Sequence, residues 1–380
     1  MHLTFDWHGA LRRARHGVKE SADASVVPRL AWKRFPYGDR VYRYGGTALL
    51  TNWCRLHRAD REPYPTVDNL LELLRANPGL EPHAVNPTAL APMLEEAWRS
   101  FHAGDFADAV ERGLAVGPVG GVVAARAATV YAGHLEEDPT RRLAILREAV
   151  ESAAALVQLA PNWANAWYAH GAALGRYSQQ LSVVKALSQG LGSKVRDSLH
   201  RALQLEPGHA GAHVVLGVYN AEVIDKVGGV VGALTYGVRK EAVVDHFEAA
   251  RALHPQSSVV LAEHARAALM VLGGAQSGHA HALCAEAAAS HVARLAALFP
   301  SEVPTATLSD LRRAAAQGSQ VIADRAALRE LRAHSRLDME KLSDSAELSD
   351  DELLAALTVL TGDYEDWIAE NRAAIGVSVE

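Results

Sequence analysis

"LHRALQLEPGHAGAHVVLG", residues 199–217, runs an apolar stripe into Pro207 and out again into a second apolar stripe. Two near copies flank it: "ALVQLAPNWANAWYAHG" from Ala155 to Gly171, and "AARALHPQSSVVLAEHA" from Ala249 to Ala265. The apolar positions recur at helical intervals. Ala149, Ala153, Leu156 and Leu159 precede Pro161; Val195, Leu199, Ala202 and Leu205 precede Pro207; Val243, Phe247, Ala250 and Leu253 precede Pro255. Such spacing puts each set on one helix face. Proline lacks the amide hydrogen and pushes the residue before it out of the α region, so each helix should stop there. A second helix should follow, marked by Leu174, Leu216 and Leu261 on its inner face, with a small residue at Gly171, Gly217 and Ala265 where the pair must approach closely.

The period is the informative quantity. Pro161, Pro207, Pro255 and Pro300 are separated by 46, 48 and 45 residues, and self-similarity at such a period signals stacked supersecondary units. The predicted fold is all-α, with helical hairpins of about 46 residues each stacked into a solenoid. Further pairs are expected from about residue 90 to 116, where Gly104, Asp105 and Phe106 mark the turn, and from 121 to 159. The inserted stretches "GRYSQQLSVVKALSQGLGSK" and "EVIDKVGGVVGALTYGVRKE" are apolar and glycine-marked, so they should form kinks or short extra helical turns. One short helix is expected near residues 47–57.

These phrases resemble the tetratricopeptide repeat, whose standard unit is about 34 residues long. Residues 145–272 are similar to the repeat region of the regulator of microtubule dynamics family, through Trp167, Tyr168, Ala169, Ala202, Leu205, Pro207, Gly217, Phe247, Ala250 and Pro255. The resemblance implies a curved helical array with a docking groove along the first helix of each pair. Mapped onto this chain, the groove would be lined by Asn165, Tyr168, Arg176, Glu222 and Arg266.

Three regions follow from composition: a basic, aromatic-rich and partly irregular segment at 1–88, repeats at 89–300, and an acidic helical extension at 301–380. Residues 1–62 hold 12 Lys/Arg and 6 Asp/Glu, while 338–380 hold 2 and 12. Such ends attract each other, a partner or a second copy, so contact between them or a homo-oligomer is expected. No stretch reaches the ~20 apolar residues of a membrane span. Two widely separated cysteines, Cys54 and Cys284, form no disulfide framework and suit a reducing, cytoplasmic setting.

Chemistry is harder to find. His279, His281, Cys284 and His291 are the densest group of metal-ligating types, three of them at helical intervals, yet packing between helices explains them equally well. "GGVVGA" and "GPVGG" lack the lysine and serine of a phosphate loop, and no nucleophile elbow occurs. Neighbouring acids such as Glu95 and Glu96 point about 100° apart on a helix. "WKRFPYGDRVYRYGG" interleaves rings with arginines as nucleic-acid sites do, but the overall charge of −6 argues against that partner. The expected function is a non-enzymatic scaffold that binds a protein or peptide and needs no cofactor. The alternative is a helical metal protein or enzyme centred on His279–His291.

Overall fold

The computed structural model describes residues 32–33, 43–84, 86–255 and 257–272. Pro300, the His279–His291 group and the acidic stretch 338–380 lie outside the described residues. The chain divides into two compact units, Met1–Val215 and Leu216–Glu380, which are taken in turn. Among the described residues all regular structure is helical, with no strand.

In the first unit, α1 (Ala48–Leu56) and α2 (Val67–Ala76) precede a 3-10 turn at Pro78–His83. Then come α3 (Pro87–His102), α4 (Phe106–Val116), α5 (Gly121–His134), α6 (Pro139–Leu159), α7 (Ala164–Gln179), a short α8 (Val183–Ser188) and α9 (Leu191–Leu205). Thr66, Asn86 and Asp138 cap the starts of α2, α3 and α6 with side-chain oxygens that accept from Asn69, Ala89 and Arg141 amides. Each cap satisfies one of the donors a helix start leaves without a partner. Proline at the first position of α3 and α6 fits the same place, because its missing amide would have no partner there.

Helices α3 to α7 each pack on the next in sequence, and α7 packs on α9. The connections are short, which favours antiparallel neighbours. Contacts also run from α3 to α5 and from α5 to α7. The core is continuous from Trp32 and Leu49 through Trp98, Tyr131 and Leu156 to Ala173. It is filled largely by alanine, leucine and valine, with aromatic rings concentrated around α1 and α3.

The proline reading matches the helix ends. Helices α6 and α9 stop at Leu159 and Leu205; Ala160 and Glu206 then turn to φ −128° and −138°, as residues before proline do. The helix α12 (Lys240–Leu253) of the second unit ends the same way at His254, with φ −138°. New helices begin three residues after each proline, at Ala164, Ala210 and Ser258. His209 caps α10 (Ala210–Val227) through its Nδ1, which accepts from the Ala212 amide at 3.0 Å.

Two positions show why the helices of a pair lie so close. A Cβ on Gly171 would sit 2.8 Å from Leu199 Cγ, and one on Gly217 would sit 2.6 Å from Phe247 Cε2. Both are the small-residue positions expected from the repeat. The inserted stretches became short separate helices: α8 in the first unit, and α11 (Gly229–Tyr236) in the second. Gly228 and Gly237, at φ 82° and 67°, bracket α11 in left-handed backbone that favours glycine. In the second unit α12 packs on α13 (Ser258–Leu272), where Phe247 stacks on His264 with centroids 4.7 Å apart.

Candidate functional site

The first unit buries a cluster of ionisable side chains. It is built around residues 57–62, "HRADRE", which leave α1 and cross to α2 without forming a helix. Trp53 anchors the stretch from α1, stacking on His57 at 3.9 Å and donating its indole N–H to the Glu62 carbonyl at 2.6 Å. Asp60 and Glu62 are buried while Arg61 between them is exposed. Arg61 itself holds φ 52°, a left-handed conformation that costs a non-glycine residue about 1 kcal/mol.

Three alternate helices each contribute one polar side chain to this stretch. From α3, His102 Nε2 lies 3.0 Å from His57 Nε2. From α5, the Arg126 guanidinium donates to Asp60 and sits over the Trp98 and Phe101 rings. From α7, the Asn165 amide donates to Glu62. A backbone bond from the Gly211 amide to the Ala59 carbonyl, 3.1 Å, ties the stretch to the start of α10.

The hydrogen bonds fix the proton positions. His209 Nδ1 accepts from the Ala212 amide, so its Nε2 carries the hydrogen and donates to Asn165 Oδ1 at 2.8 Å. The Asn165 Nδ2 is then free to donate to Glu62. On the other branch His57 Nδ1 donates to Asp60 at 3.0 Å, which leaves its Nε2 to accept from His102.

Burial dominates the electrostatics. It drives His57 and His209 down from 6.5 to about 4, so both rings are neutral at physiological pH. It drives Glu62 up from 4.5 to about 8, helped by the charge on Asp60 and opposed by the Asn165 donor. The Glu62 carboxyl is therefore protonated at pH 7. Burial pushes Asp60 up as well, but His57 and Arg126 outweigh it and hold that carboxyl well below its ordinary range. Two acids two residues apart thus differ in charge: Asp60 is the anion paired with Arg126, and Glu62 is a neutral hydrogen-bonding group.

The residues expected to line a groove are distributed unevenly. Asn165 is buried, with both ends of its amide engaged in the network. Tyr168 packs its ring on His209, centroids 4.4 Å apart. Arg176 lies in the last turn of α7, with a bond to Gln179 at 3.4 Å. Glu222 is half-buried on α10 within the second unit, and the Arg266 side chain lies outside what is described. So Asn165 and Tyr168 meet around His209. Of the ring-and-arginine stretch, Trp32 is buried and stacked on Tyr131 at 4.1 Å, while Lys33 pairs with Glu137 at 2.8 Å.

Sequence reasoning had not singled out His57, Asp60, Glu62, His102, Arg126 or His209. One signal was present: Arg126 is the lone charge in "GVVAARAATVYAGH", and a cation inside an apolar helix needs a buried partner. Among the described residues no group of three or more His, Cys, Asp or Glu could hold a metal ion, and no helix is long and apolar enough to cross a membrane. No protein-family model, curated protein or solved structure matches the chain.

Proposed function

We propose that the chain is a non-enzymatic docking scaffold: a tetratricopeptide-like helical array that holds an extended protein segment along the face shared by α3, α5 and α7. One observation carries the reading. His102, Arg126 and Asn165, one from each of these helices, all grip a single non-helical stretch of six residues. Alternate helices of a hairpin array line one surface, and such arrays bind extended segments there. The proline register, the lengthened repeat and the packing glycines support the same architecture. The ionisable groups bond mainly to one another, an arrangement suited to holding a segment in register.

The test is selection from a displayed library of short peptides on the full-length chain, followed by competition with a synthetic copy of residues 50–66. Enriched peptides that compete with that copy are the expected result. A library that yields no binder would remove the proposal.

A further inference from the structure

Resting on the docking reading above, we propose that residues 57–62 are an exchangeable occupant of the α3–α5–α7 face, and that the partner replacing them presents two carboxyl groups two residues apart. The face selects that chemistry. Arg126 is a permanent cation whose present counter-ion is Asp60, so any replacement must bring an anion to the same place. Asn165, oriented by His209 behind it, offers a donor for a second carboxyl at the Glu62 position. An apolar or basic segment would not replace the Asp60 carboxylate beside the guanidinium.

The geometry also favours exchange over permanent closure. The Arg126 side chain keeps 19% exposure while that of Asp60 has 4%, so an incoming carboxylate meets the cation before Asp60 departs. The stretch forms no continuous helix, only a single turn closed by the Arg61 amide on the His57 carbonyl at 2.8 Å, and Arg61 holds it in left-handed backbone that relaxes on release. Of its ties to neighbouring elements, the Arg61–Glu206 ion pair at 3.5 Å is partly solvent-exposed and weak for that reason, and a single backbone bond joins Ala59 to Gly211. In the resting chain the stretch occupies the face from within, raising the threshold for outside ligands by the fraction of time the face is open.

The probe is a fluorescent peptide of residues 50–66, with Cys54→Ser, titrated by anisotropy into the full chain and into the double variant Asp60→Ala, Glu62→Gln. The variant should bind at least tenfold tighter than the unaltered chain. A control peptide bearing Asp60→Asn and Glu62→Gln should lose that gain. A variant with unchanged circular dichroism that binds no tighter overturns the inference. If the variant does not fold, hydrogen exchange on the unaltered chain decides. Fragments covering 57–62 should exchange with little dependence on dilute urea while α5 depends on it steeply; one shared slope would overturn the inference. Displayed peptides that bind without raising exchange in 57–62 would leave the docking function standing and remove this inference alone.

Discussion

Arg126 concentrates the energetics of the first unit in one side chain. It leaves an otherwise apolar helix to meet Asp60, and it lies 5.4 and 5.1 Å from the Trp98 and Phe101 ring centres. Replacing it with methionine keeps most of the volume but strands a buried anion. Breaking such a pair typically costs about 3–5 kcal/mol, so Arg126→Met should lower the urea midpoint sharply. Adding Asp60→Asn should recover part of the loss, because the stranded charge disappears. A double variant no more stable than Arg126→Met would show that the two side chains are not coupled. Glu62 behaves differently. It is already neutral near pH 7, so Glu62→Gln should be close to neutral in stability at pH 6.5, measured by the same urea titration.

Pairs of helices depend on close approach at a few positions. The Gly171 and Gly217 positions leave no room for a Cβ against Leu199 and Phe247, and overpacking of this kind costs about 1–3 kcal/mol. Gly171→Ala and Gly217→Ala are each expected to lower the melting temperature. Shortening the opposing side chain should compensate: Gly171→Ala combined with Leu199→Ala should melt higher than the sum of the two single changes implies. Strict additivity would place the strain elsewhere. The contrast between α8 and its neighbours has the same origin. The helices on either side bury Leu174 and Leu199 in a shared seam, whereas α8, six residues long, is too short to be stable by itself.

The whole molecule should have a stability maximum near pH 6.5. His57, His170 and His209 are each lowered from 6.5 to about 4 by burial. Their contribution is present above 6.5 and is lost as pH falls toward 4, because the unfolded chain takes up protons that the folded chain refuses. Glu62 runs the other way. Its folded value is raised from 4.5 to about 8, so its contribution is complete below 4.5 and is lost as pH rises through 8. Between 4.5 and 6.5 these three histidines, joined by His200 and His213, which burial also lowers, oppose one acid and stability climbs with pH; among the described residues Glu62 is the shifted group that acts between 6.5 and 8, and there stability falls. One group acting over that upper interval changes stability by up to about 2 kcal/mol. Urea midpoints at pH 5, 6.5 and 8 should follow this rise and fall, and Glu62→Gln should remove the decline between 6.5 and 8. A decline that survives the substitution would assign it to another group.

Much of the helical framework was legible from the chain alone, because local chemistry writes it. Proline two residues beyond an apolar stripe ends the helix before it, which is why Leu159, Leu205 and Leu253 close their helices at the same distance before Pro161, Pro207 and Pro255. Stripes such as Val195, Leu199 and Ala202 have one apolar face to bury, and the structure buries it. Gly171 and Gly217 were readable as packing positions for the same reason: their place in the repeat sets what lies opposite. The buried network was not readable. His57, His102, Arg126, Asn165 and His209 span more than 150 positions of sequence, and no local periodicity relates them. The sequence alone determined where helices begin, end and turn their apolar faces. Only the tertiary structure decided that His57, Asp60 and Glu62 would lie inside the first unit, since a charge is buried where another part of the chain supplies its partner.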